Sequence, residues 1–562
     1  MEKITGSQAV IKSLIKENVD TIFGYPGGAI MPIYDALYGY KNEINHVLVR
    51  HEQGAIHAAQ GYARASKKCG IVFATSGPGA TNLITGLADA MIDSTPVVCI
   101  TGQVHSSLLG TDAFQETDVI GISMPVTKWN IQITKSIDIP NAIAKAFYIA
   151  KSGRPGPVLI DITKDAQFDL LNFEYVFCNN IRSYFPFPAL NKIEIKNAAK
   201  EINKSKRPLL VIGQGIILSN AENALLDFVK KTDIPVASTL LGLGAFPNNH
   251  KNYVGYLGMH GNYAPNIMTN ECDLLIAIGM RFDDRVTGNV NKYAKQAKVI
   301  HIDIDKAELN KIIPAHYAIH ADAKDALNEL TIEVFEKKHS NWNKEFKILE
   351  KQELNQVIYN SINPKSGKIK MAEVINLLSK KADQNTIITT DVGQHQMVTS
   401  RYYKYENSRS NITSGGLGTM GFALPAAIGA KLGAKNKTIV AIIGDGGFQM
   451  NIQELGTIMQ SNIDIKIIIL NNNFLGMVRQ WQEMFFNKRY SFTDIQNPNF
   501  IKIAEGYGIQ GKKIEKRSLL DSGINQLLKS KGSFILEVIC EKEENVFPMV
   551  KTGSSVSEII LK

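Results

Sequence analysis

An apolar run closing on Gly444, Asp445, Gly446 and Gly447, then an amphipathic stretch (NIQELGTIMQ), then a second apolar run closing on Asn471 and Asn472, is the most restrictive pattern in this chain. It reads as strand, helix, strand. Parallel strands joined by a helix point their carboxyl ends to one edge. The turns carrying Asp445 and Asn472 are therefore expected side by side, although 472 − 445 = 27 positions separate them.

One carboxylate and one side-chain amide at a shared edge can hold a divalent cation. Magnesium takes near-octahedral oxygen ligands and needs only one or two protein carboxylates when phosphates supply the rest. Glycines beside the carboxylate let backbone N–H groups approach those phosphates. Alone, GDG is usually a turn and Asn-Asn a common loop. Their pairing on consecutive parallel strands is what suggests a clamp for a metal diphosphate.

The rest of the chain repeats the strand and helix alternation. Residues 1–180 carry INHVLVR, GIVFATSG, PVVCITG and GPVLIDI, and residues 177–192, rich in proline and aromatics, read as a linker. A second unit, 190–340, carries RPLLVIGQG, IPVAST, CDLLIAIG and KVIHIDID, and fades into a charged segment near 335–365. A third, 370–545, carries TIITTDVGQ and the two runs above, and a tail, 546–562, is expected to fold over the surface. The prediction is an α/β chain of three doubly wound parallel-sheet domains. No repeat is visible by identity, yet the first and third units share one alternation. VIGQG keeps Gly213 and Gly215 but has Leu218 where a dinucleotide fingerprint would place its last glycine, so it is weak as such.

With 44% apolar and 20% charged residues in 562, the chain can bury large cores. Its net charge of +9 is spread without a basic stripe interleaved with aromatics, which argues against nucleic acid as a partner. The five cysteines form no metal or redox spacing and read as reduced core residues. No apolar run is long enough for a membrane, and the amino terminus enters a helical pattern at once, so a cytoplasmic location is expected.

The spacing from GDG to NN is similar to the thiamine diphosphate signature, and further motifs extend the likeness from end to end. VRHEQGAIHAAQGYAR (49–64), TSGPGATNLITGLADAMIDSTP (75–96), GTDAFQET (110–117), SGRPGPVLIDITKD (152–165), RFDDRVTG (281–288), GQHQM (393–397), SGGLGTMGFALPAAIGA (414–430) and GMVRQW (476–481) resemble the catalytic subunits of the acetohydroxyacid synthase family. The resemblance implies a pyrimidine-binding first domain, a central FAD-contacting Rossmann-like domain and a diphosphate-binding third. It also implies decarboxylation of pyruvate on thiamine diphosphate and transfer of the two-carbon unit to a second pyruvate or to 2-oxobutyrate. The products, 2-acetolactate or 2-aceto-2-hydroxybutyrate, lead to valine, leucine and isoleucine. The flavin would have no redox task.

Residue by residue, the glutamate matching Glu52 is catalytic and holds a proton against the aminopyrimidine, so Glu52 is expected to lie buried among apolar neighbours. Gln115, Gln394, His395, Gly418, Met420, Asp445, Gly446, Gly447, Asn472 and Met477 match other thiamine diphosphate neighbours, Met420 being the wedge that bends the coenzyme. Magnesium falls to Asp445, the Asn472 side chain and the main-chain carbonyl of Phe474. FAD neighbours carry over to Ser94, Arg154, Gly213, Gly215, Thr239, Leu240, Leu257, Gly258, Met259, His260, Gly279, Arg281, Asp283, Asp303, Ile304, Asp322, Gly415 and Gly416. Phe114, Gln115, Lys164, Met259, Arg285 and Trp481 match substrate contacts, Arg285 pairing with a 2-oxo acid carboxylate and Trp481, in a loop-like stretch, packing on the second substrate's alkyl group.

Without the resemblance these residues read differently. Glu52 is a helix-start carboxylate, Met420 a gap filler, Arg285 a surface charge and Trp481 a core anchor. The resemblance further implies a homodimer in which Glu52 of one chain faces the GDG loop of the other, and a separate small regulatory subunit. One departure stands out: His105 occupies the place of the family's usual proline in GQVP, where loop rigidity matters. The rival readings are a flavin-independent catabolic acetolactate synthase, a pyruvate oxidase, a glyoxylate carboligase and a catalytically silent assembly subunit. RFDDRVTG and VRQW favour the biosynthetic enzyme, and Glu52 disfavours the glyoxylate carboligase.

Overall fold

Strands of Ile, Val and Leu that are apolar on both faces are stable only inside a covered parallel sheet. In the computed structural model, which describes residues 2–562, three six-stranded, all-parallel sheets bury such runs between helices. The first sheet runs from Thr21–Gly24 to Pro157–Thr163, the second from Pro208–Ile212 to Tyr317–His320, the third from Ile387–Thr390 to Phe534–Ile539. A short antiparallel pair, Glu2–Thr5 with Leu170–Phe173, ties the start of the first domain to its end.

In both the first and third sheets, the spatial order by appearance in the chain is second, first, third, fourth, sixth, fifth. The middle sheet is ordered third, second, first, fourth, fifth, sixth, the doubly wound dinucleotide-binding order. The expected kinship of the outer units around a different middle one is therefore visible in their winding.

The outer domains pack helix on helix, Glu52–Ser66 across Ala423–Gly433, closely enough that a Cβ on Gly429 would sit 1.7 Å from the Ala58 carbonyl oxygen. No side chain fits there. Beside this crossing, Arg64 pairs with Asp93 at 3.0 Å, and Asp93 accepts the N–H groups of Gly415 (2.8 Å) and Gly416 (2.7 Å). A buried charge is tolerable only when so paired. The loop before Met420 is thus fastened to the first domain.

Three readings need correction. The charged segment after the middle domain is a helix, Ser340–Glu353, because Trp342 and Phe346 on one face enter the core and Glu353 pairs with Arg401. The tail does more than cover the surface: Val546, Met549, Val550 and Val556 are buried. Of the cysteines, Cys69, Cys99, Cys272 and Cys540 are buried with their thiol pKa values pushed up by burial, but Cys178, on the linker, is half-exposed. Among the described residues no helix is long and apolar enough to cross a membrane.

Asp161, fully buried on the last strand of the first sheet, accepts from Thr101 (2.7 Å), Gln103 (3.0 Å) and Gln132 (3.0 Å). Burial pushes its carboxyl up to about 6 against those hydrogen bonds. A raised folded-state pKa means that its contribution to stability is full below about pH 4 and is lost as pH rises through about 6. Asp161→Asn, with its amide nitrogen turned toward Thr101, is expected to stabilise the protein at pH 8 by roughly 1–3 kcal/mol and to leave it unchanged near pH 4. Thermal melts across that range check the sign.

Candidate active site

Gly444 pairs with Leu470 across adjacent parallel strands, so the turns starting at Asp445 and Asn472 leave the same sheet edge together. Asp445 is 1% exposed and begins the helix Asp445–Met450. Burial pushes its carboxyl up to about 6, opposed by a hydrogen bond from Asn497 and by backbone N–H groups that include those of Asn472 and Asn473. The two turns touch. Asn472 Oδ1 accepts the Phe474 N–H at 3.3 Å, and its Nδ2 donates to Gln394 at 3.5 Å. Asp445, Asn472 and the Phe474 carbonyl offer three oxygens with one carboxylate among them. Among the described residues no group of three or more His, Cys, Asp or Glu could hold a metal unaided. A hard cation completed by phosphate oxygens fits this donor set.

His395 sits behind the same turn, so close that a Cβ on Gly444 would meet its Nδ1 at 2.7 Å. Its Nε2 is buried without a partner, and burial lowers the ring pKa to about 4. A ring hydrogen bond to the Asp391 carbonyl opposes that shift, and the buried, unpaired Nε2 costs free energy until a partner reaches it. Gln394 differs: its amide nitrogen already donates to Gln480 (3.0 Å) and to the Glu544 carbonyl (2.8 Å). Asp391, fully buried at the end of a neighbouring strand, accepts the N–H groups of Val392, Gly421 and Ala423 at 2.9, 3.0 and 3.0 Å. It thereby pins the loop carrying Gly418 and Met420 beside Gly446 and Gly447.

Next to this clamp lies a cavity of about 900 Å³ at the point where the middle sheet's winding reverses. Every residue matched to FAD lines it except Gly213, which instead packs against Gly279 and Met280 beneath its floor. Gly418, Met420 and Met477 from the coenzyme set, and Met259, Arg285 and Trp481 from the substrate set, line the same space. His260, on its wall, is half-buried, with its Nε2 buried and unpaired. Burial holds Asp303 at about 7 and raises Asp283 and Asp322, while Arg154 is held by Ser94 (2.8 Å) and Glu308 (2.9 Å). A long, elongated cofactor with both apolar and polar parts fits such a wall.

A third group stays on the first domain, outside that cavity. Glu52 opens the helix Glu52–Ser66 and is half-buried rather than buried; Asn82 donates to its carboxylate at 2.9 Å, and Gly79 lies beside it. Phe114 is 88% exposed, and Gln115 follows it in the left-handed region. Their loop is shaped by Glu116, whose carboxylate accepts the N–H groups of Gly110, Thr111 and Ala113. Lys164 is exposed at the start of the helix Lys164–Phe168. His105 caps the turn Ser106–Leu108 by accepting the Ser107 N–H.

Trp481 is not in a loop: it belongs to the helix Gly476–Phe485, whose opposite face buries Arg479 and Gln480 completely. Gln480 accepts from Val546 (2.8 Å) and Gln394 (3.0 Å) and donates to the Val546 carbonyl (3.1 Å), joining the tail to the clamp. Sequence reading missed Gln480, Asp391, Glu116 and Asn497. Only Asp391 left a signal, an acidic residue closing an apolar strand.

The chain matches the N-terminal TPP binding domain of thiamine pyrophosphate enzymes over residues 4–122, their central domain over 195–330 and their C-terminal TPP binding domain over 391–538. It is 45% identical to the acetolactate synthase isozyme 2 large subunit of Escherichia coli, covering 100% of both chains. It is 44% identical to the acetolactate synthase large subunit of Lactococcus lactis, covering 100% of this chain and 97% of that one, and 44% identical to a probable acetolactate synthase large subunit of Methanocaldococcus jannaschii, covering 99% and 95%. Identity at this level over the whole length, with three thiamine pyrophosphate domains in register with three sheets, makes the chain a member of the acetolactate synthase large-subunit family.

Proposed function

We propose that the protein is the catalytic large subunit of an acetolactate synthase acting in branched-chain amino acid synthesis. It decarboxylates pyruvate and joins the two-carbon unit to a second pyruvate or to 2-oxobutyrate. The observation that carries this reading is the adjacency of the Asp445 and Asn472 clamp to a cavity lined by Met420, Arg285 and Trp481. Thiamine diphosphate, when bound, supplies the electron sink that decarboxylation requires.

The chain's own residues then do four things. Asp445, Asn472 and the Phe474 carbonyl hold magnesium, and His395, behind the same turn, lies beside the diphosphate. Glu52 holds a proton against the coenzyme's pyrimidine. Arg285 pairs with the carboxylate of the incoming 2-oxo acid, and Trp481 with Met477 excludes water around its alkyl group. The cavity wall from Ser94 to Asp322 holds FAD, which takes no part in electron transfer.

Glu52, Phe114, Gln115 and Lys164 lie outside the cavity of their own chain, which supports a homodimer whose sites are shared between copies. The name "large subunit" carried by its relatives supports a small regulatory partner. A cytoplasmic location agrees with the absence of a membrane-spanning helix among the described residues. Incubation with pyruvate, thiamine diphosphate, magnesium and FAD is expected to yield 2-acetolactate, with mixed product when 2-oxobutyrate is added. Acetate with hydrogen peroxide as the main product would instead identify an oxidase, and no product a silent subunit.

A further inference from the structure

The two turns of the clamp are joined by one side chain that belongs to neither. Asn497 Nδ2 lies 2.7 Å from Asp445 Oδ2, 3.0 Å from Asn471 Oδ1 and 2.9 Å from Asn473 Oδ1. An amide nitrogen has two hydrogens, so three acceptors compete for it. Such convergence is found where a donor sits at the focus of oxygens that would otherwise repel one another. The amide's orientation is set by its other end, since Asn497 Oδ1 accepts from Gln449 at 2.8 Å. A flipped amide would turn oxygen toward three oxygens.

Its backbone is prepared for this position from both sides. Pro498 follows and restricts Asn497 to extended conformations. Asn499 then caps the helix Phe500–Gly506 through the Lys502 N–H at 3.0 Å. Phe500, fully buried, packs edge-on against Phe448 with ring centroids 5.4 Å apart, and Phe448 belongs to the helix that Asp445 begins. On the other side, the Ile495 N–H donates to the Asn473 carbonyl at 3.1 Å and the Leu475 N–H to the Thr493 carbonyl at 2.8 Å, so the segment before Asn497 lies along the second turn. Packing against one turn and hydrogen bonding along the other leave Asn497 between them.

We propose that Asn497 is a positioning residue for the divalent cation: its amide spaces Asp445 from the 471–473 turn so that the carboxylate and the Asn472 amide face one octahedral centre. This rests on the reading of the two turns as the magnesium site. Asn497 engages only Oδ2 of Asp445 and touches no cation ligand other than Asp445. Magnesium tolerates little error in ligand placement, whereas calcium accepts 6–8 oxygens in flexible geometry. Loosened spacing therefore penalises magnesium selectively. A fold that is merely weakened penalises both ions alike.

The test uses the full-length protein freed of metal, with thiamine diphosphate held constant and coenzyme uptake followed by calorimetry and by quenching of tryptophan fluorescence as each metal is titrated. In Asn497→Ala, the half-saturating magnesium concentration is expected to rise about tenfold or more, in the range typical of lost support around a metal ligand. The calcium value should rise less than about threefold, since its geometry is more forgiving. Should Asn497→Ala fail to fold, Asn497→Ser, whose hydroxyl is too short to reach all three oxygens, is read in the same way. An unchanged magnesium value, or equal losses for the two ions, overturns the proposal while leaving the metal site standing. Coenzyme uptake by the unmutated protein without any metal overturns both.

Discussion

Glu52→Gln is expected to bind thiamine diphosphate as the unmutated protein does and to turn over pyruvate about 10²–10⁴-fold more slowly, the range general acid–base groups contribute. The substitution preserves shape. The glutamine oxygen can still accept from Asn82, which now holds Glu52 Oε2 at 2.9 Å, and the helix start at His51 is undisturbed. What is lost is the ability to hold and release a proton at the atom facing Gly79, where an added Cβ would lie 3.3 Å from Oε1. Calorimetry of coenzyme binding beside single-turnover kinetics separates the two effects. Near-normal turnover with the coenzyme bound would remove Glu52 from the chemistry.

Asp445→Ala should fail earlier, at coenzyme retention. The clamp has one carboxylate, so alanine leaves two neutral oxygens facing a divalent ion, and magnesium without a carboxylate holds such sites poorly. Magnesium-dependent uptake of thiamine diphosphate is expected to weaken by at least about 100-fold, beyond the 10- to 100-fold typical of losing a supporting group alone. Because Asp445 is buried with a raised pKa, its removal also relieves a desolvated charge, and the metal-free fold should not melt earlier by more than about 1 kcal/mol. A variant that retains coenzyme at ordinary magnesium concentrations would refute the clamp.

The fold was legible because it is written locally. Runs such as AIIG and IKIIIL with an amphipathic helix between them admit one winding, and winding alone brought Asp445 and Asn472 to one edge. The cavity wall was legible only through resemblance: VIGQG is a poor fingerprint, and Gly213, its first glycine, supports the floor without lining it. Asp391 showed only as an acidic residue closing an apolar strand, and Gln480 and Asn497 were not legible, since each acts across many positions through a side-chain amide, which leaves no periodic trace. Trp481 was misread as loop-borne. The helix carries a local Arg479–Glu483 pair one turn apart, but Arg479 and Gln480 are also held by Asn545 and Val546 of the tail, which no local pattern reveals.

The buried tail reaches further than its length suggests. Val546 grips Gln480, the Val550 N–H donates to the Met259 carbonyl at 2.8 Å, and Ser555 and Ser557 accept from Asn270. Translation delivers these residues after everything they fasten, so three sheets can assemble while their shared pocket still lacks its last stitches. The bonds that hold Gln480 and the Met259 segment are therefore made last, after the sheets they join.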